Sequence, residues 1–226
     1  ELENYDAFRE QTEKKLKIST DHLCRLCTDL SEIRKKASVE LVKRIRSGLL
    51  DLNFLDVRFS MEFRRLPHYT ASGFDEAEFV ISTNPGEPER SLGQVASGGE
   101  LSRIMLAIKT VLADSDDIPT LIFDEIDTGI SGRTAQKVAE KLAVISRNHQ
   151  VICITHLPQI ASMADCHFEI KKSTDGASTK TRIARLKEED VVTELARLLG
   201  GAQITDAVIQ NAREMKKLAR QTKTHN

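Results

Sequence analysis

Two apolar runs, Thr120–Phe123 and Val151–Ile154, each stop abruptly at polar chemistry. The first ends in Asp124 and Glu125, the second in Thr155 and His156. Residues 131–147 between them carry the spacing of an amphipathic helix. A strand, a helix and a strand in this order predict parallel pairing through a crossover. Both polar ends then fall on one edge of the sheet, where open α/β sheets bind their ligands. The runs are apolar enough to read as strands buried on both faces. Few arrangements other than an α/β fold satisfy this pattern.

The flanks extend the reading. Residues 1–52 predict one long helix, uninterrupted by Pro and holding only Gly48. Leu16, Leu23, Leu26, Leu30, Ile33 and Ala37 follow the alternating three-four spacing of a coiled-coil seam. From Ala37 the spacing becomes four, through Leu41, Ile45 and Leu49, as expected of a helix leaving a seam to pack on a domain. Its partner helix must come from elsewhere in a longer polypeptide or from another chain. The abrupt charged start without Met reads as a piece of something longer. The rest, 53–226, reads as one domain.

Within it, residues 56–65 and 74–82 alternate with period two and predict half-buried strands, with Pro67 to Gly73 as the loop between them. Asn84–Pro88 is a second loop. Further elements are a helix at 98–113, a short helix near 157–164 and a hairpin of 166–172 with 179–186 across Thr174–Gly176. Helices near 188–199 and 204–221 close the chain.

Composition excludes more than it asserts. The net charge of −1 advertises no global affinity for nucleic acid, so any such contact must be local. Local basic clusters exist at Arg34–Lys36, Lys43-Arg44, Arg64-Arg65 and Lys216-Lys217. Cys24 and Cys27 lie on the long helix without the second ligand pair that zinc would need. Unpatterned cysteines suit a reducing cytoplasm, and no apolar run approaches the ~18 residues of a membrane span.

Three constellations carry chemistry. Ser97-Gly-Gly-Glu100 fits a capping box at the start of a helix. A cap needs no glycine pair, whereas close approach of backbone N–H groups to an anion does, and a helix N-terminus attracts anions. Asp124 is placed to hold Mg²⁺, directly or through water, because hard cations take oxygen ligands. Glu125, one residue further on, is the better general base for a water aligned on a γ-phosphate. His156, at the end of the neighbouring strand, faces the same crevice and could hydrogen-bond a γ-phosphate oxygen. A phosphate-cradling loop of the form G-x-x-x-x-G-K-[ST] appears nowhere in the sequence. This chain alone is therefore expected not to hydrolyse ATP.

In order and spacing these residues resemble the carboxyl-terminal half of an ABC-type ATPase head. Ala96–Ser102 is similar to the signature motif, Thr120–Glu125 to the Walker B strand with its catalytic Glu, and His156 to the switch histidine. The long leading helix resembles the SMC-like group, in which a coiled-coil arm divides the two halves of the head. The strings Ile81–Pro88, Val95–Thr110, Phe123–Gly132 and Thr155–Gln159 resemble a bacterial DNA-repair branch of that group. The resemblance implies an α/β fold: a mixed or parallel sheet flanked by helices, preceded by the returning coiled-coil helix.

It further implies ATP sandwiched between two heads of a homodimer. The phosphate loop would come from the amino-terminal half, and Ser97, Gly98, Gly99 and Glu100 would close on the nucleotide of the opposite head. It implies a cytoplasmic, nucleoid-associated role in recombinational repair of double-strand breaks, with ATP cycling coupled to DNA binding or tethering. Many such ATPases carry Asp six residues after the catalytic Glu, in the loop that touches the opposite head; here Ser131 stands there. Two other readings remain: a structural DNA tether with a vestigial ATP site, and a transporter nucleotide-binding subunit. The latter often reads Asp-Glu-Pro where this chain has Asp124-Glu-Ile126.

Overall fold

A computed structural model describes the chain except Glu1, Ala96, Asp116, Gly176, Ala177, Ala202 and Asn226. The order of elements is α1 (Leu2–Asp51), β1 (Arg58–Thr70), β2 (Gly73–Ser82), β3 (Arg90–Ser91), a 3₁₀ turn at Leu92–Gln94, α2 (Gly98–Leu112), β4 (Thr120–Phe123), α3 (Gly132–Ile145), β5 (Gln150–Cys153), α4 (Pro158–Met163), β6 (Phe168–Asp175), β7 (Ser178–Arg185), α5 (Glu188–Gly200) and α6 (Asp206–His225). Among the described residues the result is a mixed α/β fold with a long leading helix and three small sheets. Contacts divide it into two compact units, 1–46 with 56–93 and 47–55 with 94–226.

In the first unit, α1 packs on the antiparallel β1–β2 hairpin. The helix face that meets it is polar as well as apolar. Cys27 and Ser31 are buried there. The Ser31 hydroxyl donates to Asp75 Oδ1 at 3.0 Å, and the Arg34 guanidinium approaches Asp75 Oδ2 at 3.8 Å. The predicted seam residues Leu16, Leu23, Leu26 and Ile33 stay exposed. The hairpin also corrects the sequence reading. Pro67 to Gly73 is not a loop: β1 runs on to Thr70 and the turn shrinks to Ala71-Ser72. Pro67 cannot donate to a ladder, and the pairing absorbs it by shifting register between Arg65 and Thr70. The Thr70 hydroxyl then closes the turn on the Gly73 carbonyl at 2.7 Å.

The second unit is built on α2 and α3. Ile104, Leu106, Ala107 and Ile108 of α2 are buried, as are Ala135, Val138, Ala139, Leu142 and Ile145 of α3. Each large aliphatic side chain so buried contributes about 1.5–3 kcal/mol. Leu49, at the foot of α1, is fully buried, and Gly48 brings the α1 backbone within 3.5 Å of the Ala107 side chain at the position of a missing Cβ. Strands β4 and β5 pair in parallel from Thr120↔Gln150 to Phe123↔Cys153, as the strand–helix–strand pattern requires. They are not buried on both faces as expected. Phe123 is buried, but Ile122, Ile152 and Ile154 are exposed. Alternation along a strand sends neighbours to opposite faces, and in this chain only one face is covered.

Helices α5 and α6 pack around Val191, Leu195, Ala196 and Ala212. Gly200 permits this, since a Cβ there would come within 3.1 Å of Val208. The predicted hairpin forms as β6 and β7. Thr174 and Asp175 belong to β6 rather than to the turn, whose Gly176 lies outside the described residues.

Candidate functional site

The pairing of β4 with β5 fixes the site's geometry. The Ile154 amide donates to the Phe123 carbonyl at 3.0 Å, so the parallel ladder runs to the last residue before both polar ends. Asp124 and Glu125 therefore stand beside Thr155 and His156 at one sheet edge. Both carboxylates are exposed, and the His156 side chain is 73% exposed. Asp124 Oδ1 accepts the Glu125 amide at 2.9 Å, which stiffens the strand end.

The backbone of Glu125 is left-handed, with φ of 55°. That conformation costs a side-chain-bearing residue about 1–2 kcal/mol. Such strain persists only where surrounding structure over-determines it, and it clusters at functional sites. Here the surroundings are the start of α2. Ser97 caps that helix, its hydroxyl accepting the Glu100 amide at 3.5 Å. A Cβ on Gly98 would fall 2.6 Å from Glu125 Oε2. One on Gly99 would fall 2.8 Å from the Glu125 carbonyl and 3.0 Å from Thr128. The glycine pair thus meets an anion within its own chain. The Glu125 carboxylate rests against a helix N-terminus, whose partial positive charge favours it. Ala96, the first residue of the motif, lies outside the described residues.

Two residues that the sequence reading did not assign hold the site together. Asp127 is 5% exposed, and its Oδ2 accepts two donors, the Thr155 hydroxyl at 2.6 Å and the His156 amide at 2.8 Å, while His156 Nδ1 lies 3.0 Å away as an ion-pair contact. It fastens the end of β5 to the loop after β4. Arg103 is the second. It is buried to 8% exposure, donates to the Thr128 carbonyl at 2.8 Å and reaches the Ile126 carbonyl at 3.5 Å. Its guanidinium lies 5.5 Å over the Phe54 ring, and burial lowers its pKa. A signal for Arg103 existed. Gly99, Arg103, Leu106 and Ala107 share one buried face of α2, where a lone cation needs acceptors. Asp127 offered none, because its partners lie nearly thirty residues away.

Ser131 sits at the N-cap position of α3 but makes no side-chain cap bond; its carbonyl accepts from Thr134 at 3.2 Å. Cys153, behind the carboxylates, has its thiol pKa pushed up to about 12, first by burial and then by the charges of Asp127 and Asp124. At pH 8 its thiolate is scarce. Thiol reagents should therefore modify exposed Cys166 readily while Cys153 stays unmodified until the protein unfolds, which mass spectrometry of the labelled peptides will read.

Among the described residues no group of three or more His, Cys, Asp or Glu could hold a metal ion. Mg²⁺ takes one or two carboxylates and fills its remaining sites with water and phosphate. Asp124, exposed at the strand end, is the donor that fits. No described helix is long and apolar enough to cross a membrane.

The long helix, the α/β unit and the strand-end chemistry together resemble the carboxyl-terminal lobe of an SMC-like ATPase head. Solved structures of this class are similar in outline. One, from a study of ATP-driven dimerisation of SMC ATPases, is 19% identical, covers 76% of this chain and 99% of that chain, and has a TM-score of 0.42. The Smc head with coiled coil and joint from Pyrococcus yayanosii is 21% identical, covers 72% and 29%, and scores 0.49. Within the class the chain is RecN-like, matching the carboxyl-terminal region of the DNA repair protein RecN. It is 39% identical to RecN of Bacillus subtilis over 99% of this chain and 42% of that protein. Against RecN of Halalkalibacterium halodurans it is 42% identical over 87% and 36%. Against RecN of Treponema pallidum it is 52% identical over 63% and 25%. The chain thus spans about two fifths of the length of the first two. No protein-family model matches it.

Proposed function

We propose that this chain is the carboxyl-terminal part of an ATPase that binds and hydrolyses ATP between two dimerised heads, coupled to DNA binding or tethering in recombinational double-strand-break repair. The observation that carries the reading is the juxtaposition of Asp124, Glu125 and His156 at the edge of one parallel strand pair, with the start of α2 against them. In this reading Glu125 is the general base, taking a proton from water aligned on the γ-phosphate. His156, whose Nδ1 lies 3.0 Å from Asp127, turns Nε2 to a γ-phosphate oxygen. Asp124 holds Mg²⁺, whose charge would offset that of the phosphates. Ser97, Gly98, Gly99 and Glu100 close on the ATP of the opposite head, and Ser131 lies in the loop that meets that head.

The partners follow from the same reading. The amino-terminal half of the same protein supplies the phosphate loop and covers the exposed face of Ile122, Ile152 and Ile154. A second head completes the site, and residues 1–52 return as one strand of a coiled-coil arm. The protein works on DNA in the cytoplasm, at the nucleoid.

The test is phosphate release from this chain, and from the longer protein that also carries the phosphate loop, with and without duplex DNA. Turnover only by the longer form, stimulated by DNA, is expected; turnover by this chain alone refutes the composite site. In the longer form Ser97→Arg should abolish ATP-dependent dimers in sedimentation, because a bulky cation stands where a small hydroxyl must approach phosphate. Persisting dimers would show that the signature assignment is wrong.

A further inference from the structure

One cluster singled out in the sequence, Lys216-Lys217, is not used by the ATP site. It lies on α6, whose cations repeat on one face at Arg213, Lys216, Lys217, Arg220 and Lys223. All five line a cleft of about 630 Å³ between α6, α4 and the feet of β6, β7 and α5, and Arg185 joins them from β7. Six cations face two carboxylates there, Asp165 and Glu188. The two carboxylates are already engaged: Lys223 bridges Asp165 at 2.7 Å, and Arg220 bridges Glu188. Lys216 is turned inward, donating to the carbonyls of Ser162 at 3.0 Å and Ala164 at 2.7 Å. Arg185, Arg213 and Lys217 form no ion pair among the described residues, and Arg213 and Lys217 are exposed.

Like charges gathered on one side of a chain whose net charge is −1 need an explanation. Mutual repulsion of unpaired cations costs stability, and a solvated helix would ordinarily intersperse both signs. The ion pairs of Arg220 and Lys223 offset those two charges, so Arg185, Arg213, Lys216 and Lys217 carry the cleft's excess positive charge. From Arg213 to Lys223 the stripe runs about 15 Å at 1.5 Å per residue. A small anion would call for cations converging on one point, whereas a row matches a linear polyanion. Along DNA each strand carries a phosphate every ~3.4 Å, so the row parallels about four nucleotides of one strand.

We infer that the α6 cleft, through Arg213, Lys217 and Arg185, is a contact surface for the sugar–phosphate backbone of DNA, without base readout. This rests on the reading that the protein works on DNA. Backbone contacts release counterions, so the signature is a salt slope rather than sequence preference.

The experiment uses the longer protein that contains both halves of the head. Binding of a mixed-sequence fluorescent duplex is measured by anisotropy at several KCl concentrations, for wild type and for Arg213→Glu with Lys217→Glu. The variant should bind at least about tenfold more weakly at 0.1 M salt, with a log–log salt slope shallower by about two. Its DNA-free ATP turnover should match wild type, and Arg213→Lys with Lys217→Arg should bind as wild type does. If the charge reversals fail to fold, Arg213→Gln with Lys217→Gln is measured in the same way.

Unchanged affinity and slope in a protein whose wild type binds DNA would overturn the cleft alone, and would fit instead an acidic protein partner. A loss of affinity with no change in slope overturns it too, because no phosphate contact was removed. Displacement of DNA from wild type by millimolar inorganic phosphate, at constant ionic strength, would make the cleft a small-anion site and overturn it. A wild type that turns over ATP yet binds no duplex sinks both the cleft and the DNA part of the proposed function.

Discussion

Glu125→Gln, placed in the longer protein, should cut ATP turnover by about 10²–10⁴-fold while leaving ATP binding intact. Gln keeps the shape of Glu, so the left-handed backbone and the fit against Gly98 survive the change. Only the proton acceptor goes. Heads should then accumulate as ATP-bound dimers, which sedimentation will detect beside phosphate-release kinetics. Undiminished turnover would move the base elsewhere. The thermal midpoint should hardly move, and a large drop would mean that Glu125 is a structural residue whose carboxylate serves mainly to anchor α2.

Asp127→Ala should do the opposite, acting on stability before chemistry. One buried oxygen takes two donors, and its removal leaves the Thr155 hydroxyl and the His156 amide without their acceptor and takes away the carboxylate 3.0 Å from the imidazole. Each buried donor left unpaired costs about 1–3 kcal/mol, less where relaxation lets water in. A net loss of about 3 kcal/mol is expected, read as a fall in urea midpoint at constant m-value. Asp127→Asn should lose less, since an amide oxygen can still accept the hydroxyl and the amide. A midpoint shift below about 0.5 kcal/mol would show that the cluster contributes little beyond what solvent supplies.

How much of this was legible in the sequence depended on whether a residue's partners were local. The long helix, the parallel strand pair and the place of Asp124, Glu125 and His156 follow from periodicity and from where apolar runs stop. The hairpin was misjudged because Pro67 and Gly73 are strong loop signals, and a register shift that tolerates proline leaves no mark of its own. The strands β4 and β5 looked buried on both sides because an apolar run does not say which of its two faces is covered. Ile122, Ile152 and Ile154 are exposed in this chain. Asp127 and Arg103 were illegible in a deeper sense. Their partners are a hydroxyl, a histidine and backbone carbonyls 23 to 29 positions away. Backbone carbonyls have no letter in a sequence.

The loop from Glu125 to Thr128 is thus gripped from two sides. Arg103 holds its carbonyls from α2, and Asp127, within the loop, holds the end of β5. Mechanically this is a keyed joint. The start of α2, the carboxylate strand and the histidine strand cannot slide past one another without shearing several short polar bonds at once.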